Sequence, residues 1–359
     1  MSEQLPIGQM FTVGFLGTTV GPDHWIVEAL TENRLGGILL FERNVDGTIQ
    51  NIRSPQQVRE LVHSLNRYAV EKPFVAVDQE GGKVCRLKAQ AGFAPSPSAK
   101  ELAESGVQGT ATSAAVMAAE MAALGITLNF APVVDLDLNP DNPIIGRYQR
   151  SFGCGPDIVA AHAQAFIAAH HHHGIGCCLK HFPGHGSAGS DSHLGFVDVT
   201  SCWQQQELDP YRCLFAAGYD DAVMTAHLVH HRLDPSGLPA TLSPQIITGL
   251  LRQQLGFTGV VFSDDLQMQA ISRRWGYAEA VQRAVLAGVD VLVVGNNLTP
   301  REDAVTAGIR AIEDMLADGR VDVQRIRQSL ARIALFKKKI AGQHPWKVPA
   351  PPTICSSAM

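Results

Sequence analysis

The sequence predicts an α/β fold: a single-domain (β/α)8 TIM-like barrel followed by a proline-rich C-terminal tail. Three observations point there. Short, wholly apolar runs alternate with helical patterns seven times, which is how the strands of a parallel sheet covered on both faces read. An open doubly wound sheet fits the same alternation, but no Gly-x-Gly-x-x-Gly follows the first run. Nearly every run also ends in polar residues. A ring of strand ends that all carry chemistry is the signature of the functional face of a barrel.

The runs are Gly37–Phe41, Phe74–Val77, Leu128–Val134, Ile175–Leu179, Ala222–Met224, Val260–Phe262 and Val289–Val294, with Met10–Phe15 the candidate for an eighth strand. Helices fit between them. Ser54-Pro55 is an N-cap followed by a first-turn proline, and Val58, Leu61, Val62 and Leu65 mark one face of the helix it starts. Ser243-Pro244 repeats the device before Ile246, Ile247, Leu250 and Leu251. Gly155-Pro156 opens a helix that Gly174 closes, and Asp322 caps a basic helix from Val323 to Ile340. Residues 1–340 are expected to form the barrel domain. Residues 341–359 contain Pro345, Pro349, Pro351 and Pro352 and read as an extended tail.

With 359 residues, 45% of them hydrophobic, the chain has ample material for one large core. Its net charge of −5, with no long run of one sign, argues against nucleic acid or an anionic membrane surface as the main partner. No basic n-region precedes the apolar part of the N-terminus, and no window approaches the apolar length of a membrane span. Seven cysteines without a C-x-x-C pair read as reduced thiols in a cytoplasmic protein.

The strand ends carry the chemistry. They are Glu42-Arg43-Asn44, Asp78-Gln79-Glu80, Asp135-Leu136-Asp137, Lys180-His181, His227, Asp264-Asp265 and Asn296-Asn297. Asp264 stands where Val260–Phe262 leaves the barrel, placed to attack an electrophilic carbon. A helix-capping aspartate fits the position equally well, and Asp265 competes for that role. Asp191 and His193, in a Gly/Ser-rich loop, form a natural proton-transfer pair: the imidazole donates and accepts, and the carboxylate orients it. Lys180, at the end of a buried strand, is costly unless paired or bound to a ligand, and reads with His181 as a donor to substrate hydroxyls. Asp78 and Arg86 offer an acceptor and a forked donor, which suits a sugar; a structural Asp–Arg ion pair competes with that reading. Arg150 is ambiguous in the same way, and Glu42, Arg43 and Asn44 read as braces of the barrel mouth. His170–His173, at a helix end, suit the negative pole of the helix dipole better than a metal, and no metal-ligand set or cofactor motif appears. Cys177-Cys178 reads as core.

Three segments resemble glycoside hydrolase family 3, most of all its bacterial β-N-acetylglucosaminidase branch of peptidoglycan recycling. They are Val77-Asp78-Gln79-Glu80-Gly81-Gly82-Lys83-Val84-Cys85-Arg86, Lys180–Gly186 with Asp191-Ser192-His193, and Phe262-Ser263-Asp264-Asp265-Leu266-Gln267-Met268. The resemblance implies a retaining mechanism, with Asp264 as nucleophile of a covalent glycosyl-enzyme. It implies that His193, assisted by Asp191, replaces the usual second carboxyl group as acid/base. Asp78, Arg86, Arg150, Lys180 and His181 would hold N-acetylglucosamine. Two departures stand out. Gly146-Arg147-Tyr148-Gln149-Arg150-Ser151-Phe152 is two residues longer than the family's Gly-x-Arg-Ser-Phe, so Arg147 competes with Arg150. Leu194-Gly195-Phe196 follows His193 where polar residues are usual. The implied activity is exo-β-N-acetylglucosaminidase on carbohydrate fragments of peptidoglycan. A phosphorylase or β-glucosidase on the same fold, and a catalytically silent glycan-binding protein, are the alternatives.

Overall fold

The computed structural model describes residues 5–190, 195, 197–297, 299–344 and 346. Eight parallel strands form its centre: β1 (Phe11–Val13), β2 (Gly37–Leu40), β3 (Phe74–Val77), β4 (Leu128–Asn129), β5 (Gly176–Phe182), β6 (Ala222–Thr225), β7 (Val260–Phe262) and β8 (Leu292–Val294). Each strand pairs with its neighbour in sequence from β1 to β7. β8 lies against β1, with Leu292 opposite Phe11, and a bridge between Phe262 and Val291 joins it to β7. The ring closes, so the expected (β/α)8 barrel is the observed one. β1 falls inside the run Met10–Phe15, as expected.

Strands that are mostly apolar and buried throughout need cover on both faces, and the barrel supplies it. Phe74 and Phe130 pack against Phe262, one tilted and one edge-on, with ring centroids 6.1 and 5.3 Å from it. Phe336, on the helix Val323–Ile340, packs 5.5 Å from Phe74. It takes the room left by Gly176, where a Cβ would come within 2.7 Å of the Phe336 ring. Burying one such ring stabilises the fold by about 1.5–3 kcal/mol.

The helix signals hold. Ser54 accepts from Gln57 N at the start of Pro55–Tyr68, which buries Val58, Leu61, Val62 and Leu65. Asp322 caps Val323–Ile340 through Gln324 N. Pro156–His172 ends just before Gly174, which takes the left-handed conformation at φ 74°. Ser243 accepts from Ile246 N, but the segment it opens, Gln245–Gln254, winds as a wider π-helix.

Three strands differ from expectation in ways that particular side chains explain. Leu128–Val134 contracts to Leu128–Asn129, because the Asn129 side chain takes over the ladder: its amide donates to Gln79 O and accepts from Gln79 N, both at 3.0 Å. Pro132, just beyond, has no N–H to offer. Ile175–Leu179 instead runs on to Phe182, so Lys180 and His181 lie within β5 rather than after it. The register against β6 shifts between Leu179 and Phe182 to accommodate them. Val289–Val294 shortens to Leu292–Val294, since the Asp290 carboxylate accepts from Val261 N at 3.0 Å.

Beyond Ile340, Trp346 stacks on His171 with centroids 4.0 Å apart, and residues 347–359 lie outside the described residues. No helix among the described residues is long and apolar enough to cross a membrane.

Candidate active site

The C-terminal ends of the strands surround a cavity of about 390 Å³. Asp78, Arg86, Arg150, Lys180, His181 and Asp264, residues scattered over nearly two hundred positions, all line it. Asp191 and His193 lie outside the described residues.

β3 delivers Asp78 and, past its end, Glu80. A strand's period of two puts both on one face and turns Gln79 to the other. Gln79 is fully buried and works behind the site. Its carbonyl oxygen accepts from Arg86 N and Leu87 N at 3.0 and 2.9 Å, and its amide donates to Ser96 Oγ. The chain must double back between them, and Gly81 and Gly82 allow it with φ 98° and 57°. A Cβ on Gly81 would lie 1.9 Å from Pro97 O. The hairpin so made returns Arg86 to Asp78, Nη2 to Oδ2 at 3.4 Å. Among the described residues, the buried Arg86 Nε has no hydrogen-bond partner.

Glu80 is the hub, and it is the residue that sequence reasoning passed over. Arg150 donates to it through both Nε and Nη2, at 2.7 and 2.8 Å, and Lys180 Nζ lies 2.7 Å from Glu80 and 2.7 Å from Asp78. Burial alone would raise both carboxylates. Arg150 and Lys180 outweigh it for Glu80, which they hold well below the usual carboxylate range, and Lys180 and Arg86 outweigh it for Asp78, which lies below its ordinary value. Burial likewise disfavours the two cations, and Asp78 and Glu80 hold Lys180, and Glu80 holds Arg150, charged in spite of it. The alternation that makes Asp78 conspicuous points to Glu80 equally; that was the signal available.

His181 is oriented from both sides. Asp135 Oδ2 lies 2.7 Å from Nδ1, and Arg150 Nη2 donates to Nε2 at 3.3 Å. A guanidinium has no acceptor, so Nε2 accepts and Nδ1 carries the proton. Asp135 also takes His181 N and, at 2.8 Å, His185 N. Burial pushes Asp135 up, but the His181 imidazole and these bonds bring it below the ordinary carboxylate value. Like Glu80, Asp135 stood in the strand-end inventory without a role.

Of the competing readings, Arg150 and not Arg147 enters the cavity: Arg150 is buried, whereas Arg147 is exposed on the rim. The Asp78–Arg86 pair exists, shared with Lys180. Asp265 Oδ1 accepts from Gln267 N, making a turn; Met268 holds the cap position of the next helix, Gln269–Ser272, so Asp265 is not that cap. Asp264 Oδ1 accepts from Asp265 N at 2.8 Å. Glu42 braces the mouth against Lys88 and Arg43, as expected. His170 is core: it stacks 4.2 Å from Phe166, bonds Asn129, and burial pushes its pKa down to about 3. His171 pairs with Asp221 at 2.6 Å. Cys177 and Cys178 are fully buried, and burial pushes both thiols up.

Barrel and mouth together define the class, an α/β barrel with a charged cavity on its C-terminal face. Residues 4–335 match the glycosyl hydrolase family 3 N terminal domain, and the chain belongs to glycosyl hydrolase family 3. It is 38% identical over 276 residues to a beta-hexosaminidase of Tolumonas auensis, covering 75% of this chain and 78% of that protein. Beta-hexosaminidase A of Pseudoalteromonas piscicida is 33% identical over 346 residues, 90% of this chain but 56% of its own length. A glycoside hydrolase family 3 beta-N-acetylglucosaminidase structure from Paenibacillus sp. strain FPU-7 superposes with a TM-score of 0.86 at 34% identity. That match covers 99% of this chain and 65% of that one. The chain thus spans just over half of one of these proteins and about two thirds of another.

Proposed function

We propose that the chain is a retaining exo-β-N-acetylglucosaminidase that removes terminal β-linked N-acetylglucosamine from peptidoglycan-derived fragments, and that it works in the cytoplasm. In this reading residues 1–340 are the catalytic barrel domain and 341–359 a tail. The observation that carries it is the shared cavity: Asp264 faces the same space as the linked group Asp78, Arg86, Arg150, Lys180 and His181. The relatives named above support the choice of sugar.

The chemistry follows from the residues. Asp78 accepts from sugar hydroxyls while Arg86 and the remaining N–H of Lys180 donate. Glu80 fixes Lys180 and Arg150, so little ordering remains to be done when the sugar binds. Asp264, ionised, attacks the anomeric carbon, and the bond to the glycosidic oxygen breaks. His193 protonates the leaving oxygen, with Asp191 stabilising the imidazolium. The same imidazole then takes a proton from the water that releases the sugar from Asp264.

Release of 4-nitrophenol from its N-acetyl-β-glucosaminide tests the activity. Asp264→Asn is expected to lower kcat by about 10³-fold or more; near-normal turnover would sink the proposal. Trapping with a fluoro-glycoside and peptide mapping decides between Asp264 and Asp265. Sugar 1-phosphate formed at high phosphate would convert the reading to a phosphorylase.

A further inference from the structure

The charges of Lys180 and Arg150 at the cavity floor are balanced by carboxylates. Lys180 answers Asp78 and Glu80, and Arg150 answers Glu80 with two parallel hydrogen bonds. The rim differs. Lys83, at the tip of the hairpin after β3, and Tyr148 both line the cavity, while Arg147 stands exposed beside them. Lys83 Nζ lies 5.9 Å and the Arg147 guanidinium 6.0 Å from the Tyr148 ring centroid. Among the described residues neither cation has a carboxylate within 4.0 Å.

This rim is built. Arg147 N donates to Asn142 O and Gln149 N to Gly146 O, both at 3.0 Å. Gln149 takes the left-handed conformation, φ 56°, and its side chain accepts from Ser98 Oγ at 3.2 Å. Its carbonyl accepts from Lys100 N. The turn is therefore held at both ends and sets Tyr148, half-buried, within about 6 Å of two cations that have no carboxylate partner among the described residues. An aromatic face takes the apolar side of a ring, and the flanking cations take an anion attached to that ring.

We propose that Lys83, Arg147 and Tyr148 select substrates whose leaving-group side carries a carboxylate. This rests on the hydrolase reading above, since it assigns the rim to the part of the substrate beyond the terminal sugar. Exposed cations act through modest, salt-screened attraction, so the effect is one of selectivity rather than of chemistry.

The test compares 4-nitrophenyl with 3-carboxy-4-nitrophenyl N-acetyl-β-glucosaminide. The wild type is expected to show a KM about three- to tenfold lower for the carboxylated glycoside. The preference should shrink to about twofold or less in the Lys83→Gln, Arg147→Gln double variant and at about 0.5 M salt, with kcat on the neutral glycoside unchanged. No preference in the wild type, or a preference undiminished in the double variant, overturns the proposal. If neither glycoside is cleaved, the hydrolase reading fails. Calorimetric titration of the same pair then judges the rim alone: tighter binding of the carboxylated glycoside by wild type only supports it, and equal Kd values overturn it.

Discussion

The two ends of the barrel carry similar charge and use it differently. At the N-terminal end Asp290, fully buried, meets Arg252 at 2.5 Å, Arg332 at 3.1 Å and Arg325 at 3.6 Å, and accepts from Ser329 Oγ. Two of these arginines also reach main-chain carbonyls, Arg252 those of Phe257 and Gly259 and Arg325 that of Val289, and Arg325 donates to Ser329 Oγ as well. At the C-terminal end Glu80 and Asp78 hold Arg150 and Lys180 just as tightly, but the group faces an open cavity. Buried charge alone therefore does not mark a site. What marks it is where the remaining donors point: into backbone, where they staple strands together, or into space a ligand can fill.

Glu80→Ala gives the largest expected effect, because it strikes stability and activity together. Among the described residues, Arg150 loses the carboxylate it is bonded to and Lys180 one of two, and leaving such charges buried costs about 3–5 kcal/mol. The floor of the cavity also loses its hub, so kcat/KM should fall by about 10²-fold or more. Urea unfolding and turnover of the nitrophenyl glycoside measure the two. An active Glu80→Ala protein would show that the mouth, like the far end, is structural.

Asp290→Ala sharpens the contrast. It abandons three buried or half-buried arginines, and the midpoint of urea unfolding should shift by an amount equivalent to about 3–5 kcal/mol. The folded protein should keep kcat/KM within about twofold of wild type, since nothing at that end touches the cavity. A large loss of kcat with the fold intact would mean that the two ends are coupled through the strands.

The sequence made the barrel and half of this contrast readable, for identifiable reasons. Caps are local, so Ser54 and Asp322 announced their helices correctly. Strand ends are local too, so Asp78, Lys180 and Asp264 stood out. What escaped was partnership. Lys180 and Asp78 are 102 residues apart, and Arg150 and Glu80 are 70 apart. Periodicity assigns a side chain to a face but not to its counterpart across a closed ring. All seven residues of β5 are buried, so no alternation showed that Lys180 and His181 belong inside it. Asp290 was hidden inside an apolar run by the same absence of pattern.

Glu207 offers the finest test, because it brings a titrating group to the mouth. The carboxylate is 1% exposed and accepts from Ser187 Oγ at 2.6 Å, Gly186 N at 3.0 Å and Gln204 N at 3.2 Å, tying down the turn that follows β5. Burial, with help from the Asp135 charge and against these bonds, pushes its pKa from 4.5 up to about 7. Between those values the folded state holds a proton that the unfolded state has released. The stabilisation this provides is complete below about pH 4.5 and is lost as the pH rises through about 7. At 1.36 kcal/mol per unit the full loss is about 3–3.5 kcal/mol. Glu207→Gln cannot titrate, so any constant offset from its altered hydrogen bonds leaves the slope untouched. The difference in unfolding free energy, wild type minus Glu207→Gln, should therefore fall across pH 4.5–8, and a flat difference would show that the turn holds its carboxylate ionised throughout. In the Asp290 cluster, by contrast, burial lowers Arg252 only to about 10, so it stays charged across that range.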